Sequence, residues 1–230
     1  MNLVVALLVG VLASPTIGEL EQAVQRDPEN LQLVAEYRQL AIAARDFDRP
    51  INVLEKLAKQ KGSGPNVQIS LALAYVDKVP TSGDIRRLYL GRDAINALGK
   101  AIERQPTVLA YWARGVINLF YNNFIFKRIP RGIGDLEHAL RLVDAETPST
   151  LVARVYQSLG DGYWRLEQRE KAREVWAAGS ARAPSDAALR KRVDSGDDHV
   201  AEMVTAALYA PNRVDTSLRD LLPARRGPTP

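Results

Sequence analysis

Cysteine is absent from the 230 residues, and histidine occurs only as His138 and His199. The chain therefore has no disulfide, no thiolate nucleophile and no cysteine ligands for zinc or an iron–sulfur cluster, and two histidines do not make a histidine-rich metal site. A glycine-rich phosphate loop, a Gly-x-Ser-x-Gly elbow and a His-Glu-x-x-His helix are missing as well. We expect no cofactor and no enzymatic activity, with His138 an ordinary, partly exposed histidine on a helix.

The charge balance is only mildly basic. Lys and Arg number 31 against 27 Asp and Glu, which gives a net charge of +4. A dedicated nucleic-acid binder carries a denser basic surface, so nucleic acid is not an expected partner. With 46% hydrophobic and 25% charged residues, the chain is long enough for one or two packed domains.

An apolar run of about ten residues, Leu3 to Leu12, lies at the amino terminus. It is too short for a hydrocarbon core that needs roughly 20 residues, but it has the length of a signal-peptide core. Cleavage after Ala13 would leave a periplasmic or secreted mature chain. Because no Lys or Arg precedes the run, an uncleaved anchor and a buried first helix of a cytosolic protein are alternatives. No later stretch is long and apolar enough to span a membrane, so the mature chain is expected not to do so.

Residues Leu151 to Pro184 carry a repeat pattern of 34 residues. Gly160 and Ala172 are placed where two packed helices would approach most closely, and Pro184 begins the next unit, where its missing N–H costs little. The other positions of the pattern are Leu159, Tyr163, Trp176 and Gly179. These residues and spacings resemble the tetratricopeptide repeat, or TPR, and the presence of a leader makes the chain similar to exported bacterial members of that family.

The same pattern returns upstream with insertions. One unit begins near Leu31, and the next two are marked by Tyr75 and Gly115 in their first helices. The predicted organisation is a signal peptide over 1–13, an N-terminal capping helix over 14–29, about four repeats over 30–184 with insertions near 76–92 and 121–130, C-terminal capping helices over 185–210 and a flexible basic tail over 211–230.

The resemblance implies an all-α, TPR-like superhelical solenoid of antiparallel helix pairs, in which the first helix of each pair lines a concave face. It places a partner or ligand groove on that face, lined by Ile69, Leu73, Val76, Trp112, Val116, Leu119, Phe120, Trp164 and Arg165. Peptide-binding members of the family commonly carry Asn, Lys and Arg there, so the apolar character of these residues argues against a carboxylate clamp.

An open apolar groove would expose more surface than soluble monomers tolerate, so a cover is expected. Three covers are compatible with the sequence. Phe124, Ile125 and Phe126 of the second insertion could fold inward, a partner could lay a helix or an extended segment into the groove, or a small hydrophobic ligand such as a lipid could fill it.

The two insertions also place basic and aromatic residues on a predicted loop rim: Arg86, Arg87, Phe124, Phe126, Lys127, Arg128 and Arg131. The rim would either contact an acidic protein surface or anionic headgroups, or simply be solvated. The sequence as a whole predicts a non-catalytic protein-interaction or scaffold module that acts outside the cytoplasm on a protein or peptide partner. The alternatives are a periplasmic carrier of a hydrophobic small molecule and a transporter-associated accessory protein, and no pattern specifies an oligomeric state.

Overall fold

The computed structural model of the chain describes residues 15–121, 128–210 and 212–223. Over these residues the chain forms eleven α-helices and no strand, which confirms the predicted all-α class. The helices are α1 (Ile17–Arg26), α2 (Leu31–Ala43), α3 (Asp48–Ala58), α4 (Pro65–Lys78), α5 (Asp84–Arg104), α6 (Val108–Phe120), α7 (Ile129–Arg141), α8 (Ser149–Trp164), α9 (Arg169–Arg182), α10 (Ala187–Asp194) and α11 (Asp197–Tyr209). The predicted signal peptide lies outside the described residues.

Side-chain caps fix where several helices begin. The hydroxyl of Thr16 accepts from the Glu19 N–H while the Glu19 carboxylate accepts from the Thr16 N–H, which satisfies two backbone donors at the start of α1. Asn30, Thr107 and Asp186 each accept from the backbone N–H three residues later, at the starts of α2, α6 and α10. Short polar residues in the turns therefore set the helix register from the sequence.

Three pairs of consecutive helices pack closely, α4 with α5, α6 with α7 and α8 with α9. The repeat register makes α2 and α3 a fourth pair, although α2 packs mainly on α1 and α3 mainly on α4, and α10 packs on α9 at the other end. Short turns join most partners, so the helices of a pair run antiparallel. A Cβ added to Gly160 would lie 2.2 Å from Nε1 of Trp176, which shows that α8 and α9 cross too closely there for any other residue. The small residue of the repeat is thus required by the packing of the pair.

The first insertion lengthens a helix. Residues Val79–Thr81 form a single 3-10 turn, and α5 begins soon after it and runs for 21 residues against 14 in its partner α4. The second insertion follows Tyr121, and residues 122–127, which include Phe124, Ile125, Phe126 and Lys127, lie outside the described residues. No helix within the described ranges is long and apolar enough to cross a membrane.

The carboxyl-terminal segment departs from the prediction of a flexible tail. Residues 212–223, here called the strap, contain no helix, yet Val214, Leu218 and Leu221 are 7%, 1% and 1% exposed and belong to the same hydrophobic core as the repeats. The proline and arginine content of the carboxyl-terminal residues is typical of a flexible tail, but the strap also contains apolar residues that can be buried. Burial of three apolar side chains supplies the stabilisation that holds the strap in place.

Candidate functional site

The strap lies across one face of the helical array. Residues of α2, α4, α6 and α8, the first helix of each pair, line a common cavity whose remaining wall is the end of α11 and the strap. These four helices therefore face the same side, which we call the concave face. A stretch of the chain's own backbone that consists of turns and bends covers this face, and it was not among the three covers considered from the sequence.

One buried arginine holds the strap to the helices. Arg38 on α2 is 1% exposed, and its Nη1 donates to a carboxylate oxygen of Asp77 on α4 at 2.6 Å. Its Nη2 donates to the carbonyl oxygen of Thr216 in the strap at 2.5 Å. The arginine therefore joins two repeats and fixes the strap through a main-chain atom, a contact that does not depend on the strap's side chain.

Three buried apolar side chains of the strap, those of Val214, Leu218 and Leu221, complete its attachment to the helices and are called the anchors. Leu218 adopts a φ of 57°, in the left-handed region that a residue with a branched side chain rarely occupies. Such a conformation costs about 1–3 kcal/mol, so it persists only because the burial of the side chain outweighs it. Arg213 lies over the ring of Phe120 with 5.8 Å between its Cζ and the ring centroid, at the opposite end of the strap from Leu221. The strap thus runs across the concave face from α6 to α2.

A cavity of about 480 Å³, here called the strap cavity, lies between the concave face and the strap and is partly open to solvent. Its apolar wall includes Ile42, Val76, Trp112 and Phe120, and its polar wall includes Gln39, Asp77, Arg154, Gln157, Ser158, Asp161, Arg213 and Asp215. The lining of the strap cavity is therefore about half apolar and half polar, unlike the mainly apolar groove that the sequence predicted.

Asp161 and Arg192 form a second buried ion pair beside the strap cavity. Nε and Nη2 of Arg192 donate to the two carboxylate oxygens at 2.7 and 2.8 Å, and both residues are 4% exposed. Burial raises the pKa of Asp161 above its ordinary value, while the charge of Arg192 acts to lower it. Because Asp161 is on α8 and Arg192 on α10, the pair attaches the C-terminal cap to the last repeat.

The residues that the sequence assigned to the groove divide into two groups. Val76, Trp112 and Phe120 line the strap cavity. The others do not line it: Ile69, Leu73, Val116, Leu119 and Trp164 are at most 6% exposed and pack into the core, and the guanidinium of Arg165 donates to the Leu119 carbonyl at 2.6 Å. More apolar residues of each first helix are buried in the core than the repeat register suggests. The reason is that each first helix packs against its partner helix and also against a helix of a neighbouring pair.

The predicted rim residues lie on the starts of α5 and α7. Arg86 is exposed, and Arg87 donates to the carbonyl oxygens of Val79 and Pro80. Arg128 lies 5.5 Å from the ring centroid of Tyr121, and Arg131 is exposed. Phe124, Phe126 and Lys127 lie outside the described residues.

A hydrogen bond joins the described parts of the two insertions. The hydroxyl of Tyr121, in the second insertion, donates to the carbonyl of Leu88 in the first at 2.7 Å. Beside this contact a second cavity of about 710 Å³, here called the α5 cavity, has mainly apolar walls that include Val76, Pro80, Ile117 and Tyr209. Arg87 and Arg213 lie at this cavity too, and burial lowers the pKa of Arg213, an effect to which the charge of Arg87 adds.

Sequence reasoning missed two charged residues that build the site. Arg38 and Arg192 are ordinary helix residues by their neighbours, and their roles arise from partners far away in the sequence. The sequence signal for the strap is the recurrence of Val214, Leu218, Leu221 and Leu222 in a segment that is otherwise rich in charged residues.

His138 is placed apart from both cavities. Its ring stacks on Tyr111 with 5.2 Å between centroids, and Nδ1 lies 2.9 Å from the carbonyl oxygen of Gly134. Among the described residues no group of three or more His, Asp or Glu side chains is arranged to hold a metal ion. The polar groups that do converge, around Asp161 and Arg154, line the strap cavity.

Comparison with solved structures places this architecture. TTC0263, a thermophilic TPR protein of Thermus thermophilus, superposes with a TM-score of 0.57 and 18% identity over 77% of this chain and 86% of its own. MamA superposes with a TM-score of 0.50 and 17% identity over 72% of this chain and 85% of its own. No protein-family model and no curated protein sequence matches the chain. The chain is a TPR-like protein by fold, as its repeat residues predicted.

Proposed function

We propose that this protein is a non-catalytic interaction scaffold that acts outside the cytoplasm and binds a non-helical segment of a partner protein on its concave face. The observation that carries the proposal is the strap, a segment of turns and bends seated on that face. It is held by a main-chain hydrogen bond from Arg38 and by buried apolar side chains. A partner segment with the same two features would fit the same place, because neither contact requires a particular polar side chain.

The spacing of the anchors defines the partner's chemistry. Val214, Leu218 and Leu221 are the buried residues of the strap, separated by four and three positions, while Arg219 and Asp220 between them are exposed. A competing segment therefore needs three aliphatic residues at that spacing and no proline or charge at the anchors. The same logic makes the strap an intramolecular competitor that a partner must displace.

The test uses the strap sequence itself as the probe. A fluorescent peptide with the sequence of residues 212–223 is titrated into the full chain, into a Leu218→Asp/Leu221→Asp variant and into a control variant, Arg219→Ala/Asp220→Ala. The charged anchors release the strap, so the first variant is expected to bind the peptide, whereas the control and the unaltered chain bind it at least tenfold more weakly. Failure of the released variant to bind the peptide, with its helical content unchanged, would remove the basis for the proposal.

Export is the part of the proposal that depends on residues 1–13. The apolar run and the Ala13 cleavage position support it. Expression of the full sequence in a Gram-negative host, followed by mass measurement of the periplasmic fraction, is expected to give a chain that begins at Ser14. A full-length mass in the cytosolic fraction would contradict export, and a full-length mass in the membrane fraction would favour the anchor.

A carrier of a hydrophobic small molecule is the second candidate, favoured by the α5 cavity. Its volume of about 710 Å³ and its mainly apolar walls are in the range of small-molecule sites. Native mass spectrometry of the purified protein is expected to show a bound hydrophobe if this candidate is correct. A clean apo mass, with binding of the strap peptide by the released variant, would favour the interaction scaffold.

A further inference from the structure

The charges around the strap cavity are unequally compensated. Its two buried carboxylates, Asp77 and Asp161, are each bound to an arginine outside the polar wall, Arg38 and Arg192. Arg154 on α8 has no carboxylate within 4.0 Å and makes no hydrogen bond to the described residues. The cavity therefore contains a guanidinium whose charge the described part of the chain does not neutralise.

Two buried donors in the wall also lack acceptors. Nε of Arg154 and Nε1 of Trp112 are both fully buried and have no hydrogen-bond partner among the described residues, and both residues line the strap cavity. A buried donor without an acceptor costs free energy, so native structures nearly always satisfy such groups. Two unsatisfied donors on one cavity point to an acceptor that belongs inside it.

Gln157 adds a third donor to the same wall. With its amide oxygen turned toward Arg192, it accepts from that guanidinium at 3.1 and 3.2 Å, and its nitrogen is left to donate elsewhere. The hydroxyl of Ser158 lies on the same helix and lines the cavity too. The α8 wall is therefore rich in donors, whereas Ile42, Val76 and Phe120 make the rest of the lining apolar.

We propose that the strap cavity binds a small organic carboxylate, with its charged end at Arg154, Gln157 and Trp112 and its apolar body against Ile42, Val76 and Phe120. A single negative charge fits better than two, because the carboxylate of Asp215, which accepts from the N–H and hydroxyl of Ser217, lies in the opposite wall and would repel a dianion. A volume of about 480 Å³ accommodates an acid of modest size.

Ligand binding would also stabilise the strap. Asn212 to Ser217 form part of the cavity wall, so a carboxylate between this wall and α8 contacts both sides at once. Anything that binds the closed form and not the released form shifts the equilibrium toward closure. The proposal goes beyond the interaction scaffold described above and does not require it, because the cavity exists with the strap in place.

The test compares acids with their neutral amides. Hexanoate and phenylacetate are titrated into the full chain at constant ionic strength, in parallel with hexanamide and phenylacetamide, and followed by calorimetry and thermal unfolding. The acids are expected to bind at least tenfold more tightly than the amides and to raise the unfolding temperature, since a charge-assisted hydrogen bond adds about that factor. Equal binding of acid and amide, or no binding by either acid, would overturn the proposal.

Matched arginine variants locate the site. Arg154→Gln is expected to weaken phenylacetate binding about tenfold or more, whereas Arg182→Gln, which removes the same charge from an exposed position on α9, leaves it unchanged. Arg213→Gln, in the strap, serves as a second cavity variant if Arg154→Gln fails to fold, and it is expected to weaken binding in the same direction. Loss of binding by the α9 control, or an equal effect of chloride or phosphate on the unfolding temperature, would show only a general anion effect and refute the site.

A further titration distinguishes a small free acid from the terminal carboxylate of a peptide. A short acetylated peptide that ends in phenylalanine carries the same acid group on a larger body. The strap cavity is expected to bind phenylacetate more tightly than this peptide. The opposite order would refute the assignment of a small molecule and indicate the carboxyl terminus of a protein.

Discussion

Replacing Arg38 by methionine perturbs the strap and the repeats through one side chain. Arg38 is buried and donates both to Asp77 on α4 and to the Thr216 carbonyl in the strap. Methionine preserves much of the apolar stem and removes the charge. Asp77, whose side chain is 6% exposed, is then left as a buried carboxylate without its cation, and the Thr216 carbonyl loses its donor.

The expected loss is set mainly by the orphaned carboxylate. Removing one partner of a buried ion pair costs about 3–5 kcal/mol. For a chain of this length, 1 kcal/mol corresponds to roughly 2–4 °C in the unfolding midpoint, so Arg38→Met is expected to lower it by about 10 °C. Adding Asp77→Asn removes the orphaned charge and is expected to recover about 2 kcal/mol. The strap contact is different, because no change at residue 77 restores a donor to Thr216.

Two measurements separate these effects. Urea unfolding followed by circular dichroism reports the stability of the repeats, and trypsin cleavage after Arg219, which lies between the buried Leu218 and Leu221, reports release of the strap. The single variant should lose stability and strap protection, and the double variant should regain stability but remain cleavable. A loss below about 1 kcal/mol in the single variant, or restored protection in the double one, would refute the role assigned to Arg38.

Two further predictions concern the helices themselves. Gly160→Ala should destabilise the protein by about 1–3 kcal/mol in urea unfolding, because the added Cβ would overlap Trp176. The control is Gly134→Ala, at an interior position of α7 with nothing within 4 Å of the added Cβ, and it should stabilise the protein by about 0.5–1 kcal/mol. Equal effects of the two variants would contradict the close crossing of α8 and α9. Asp161→Asn should cost about 3–5 kcal/mol because it leaves Arg192 buried without a counter-charge. Asp198→Asn, at an exposed position of α11, is the control, and hydrogen exchange should show the loss of protection concentrated in α10. Uniform loss of protection across the repeats would contradict the claim that the Asp161–Arg192 ion pair stabilises mainly the attachment of α10 to α8.

The repeat architecture was predictable because its determinants are local. Gly160 and Trp176 act within one helix pair, and the capping residues Asn30 and Asp186 each act within one turn. Because their partners are close in the sequence, the spacing of these residues predicts their contacts in the fold. The first insertion was recognised as an addition to a repeat, and whether it would lengthen a helix or form a loop depended on packing against α4.

The site was not predictable to the same extent because its contacts are non-local. The carbonyl of Thr216 lies 178 residues from the arginine that binds it, and the pair of Asp161 with Arg192 joins the first helix of a repeat to a cap. The sequence around a buried arginine does not distinguish it from an exposed one, since both occur in similar helical segments. The strap could be inferred only by asking where Val214, Leu218 and Leu221 could be buried.

Covalent attachment gives the strap an advantage that no free protein shares. A segment joined to its binding face by a short connection experiences an effective concentration in the millimolar range. A partner present at micromolar concentration must therefore bind the bare concave face roughly a thousandfold more tightly than the strap does to replace it. A single proteolytic cut between α11 and the strap would cancel that factor at once, turning a resident segment into a dilute peptide and opening the face to partners of ordinary affinity.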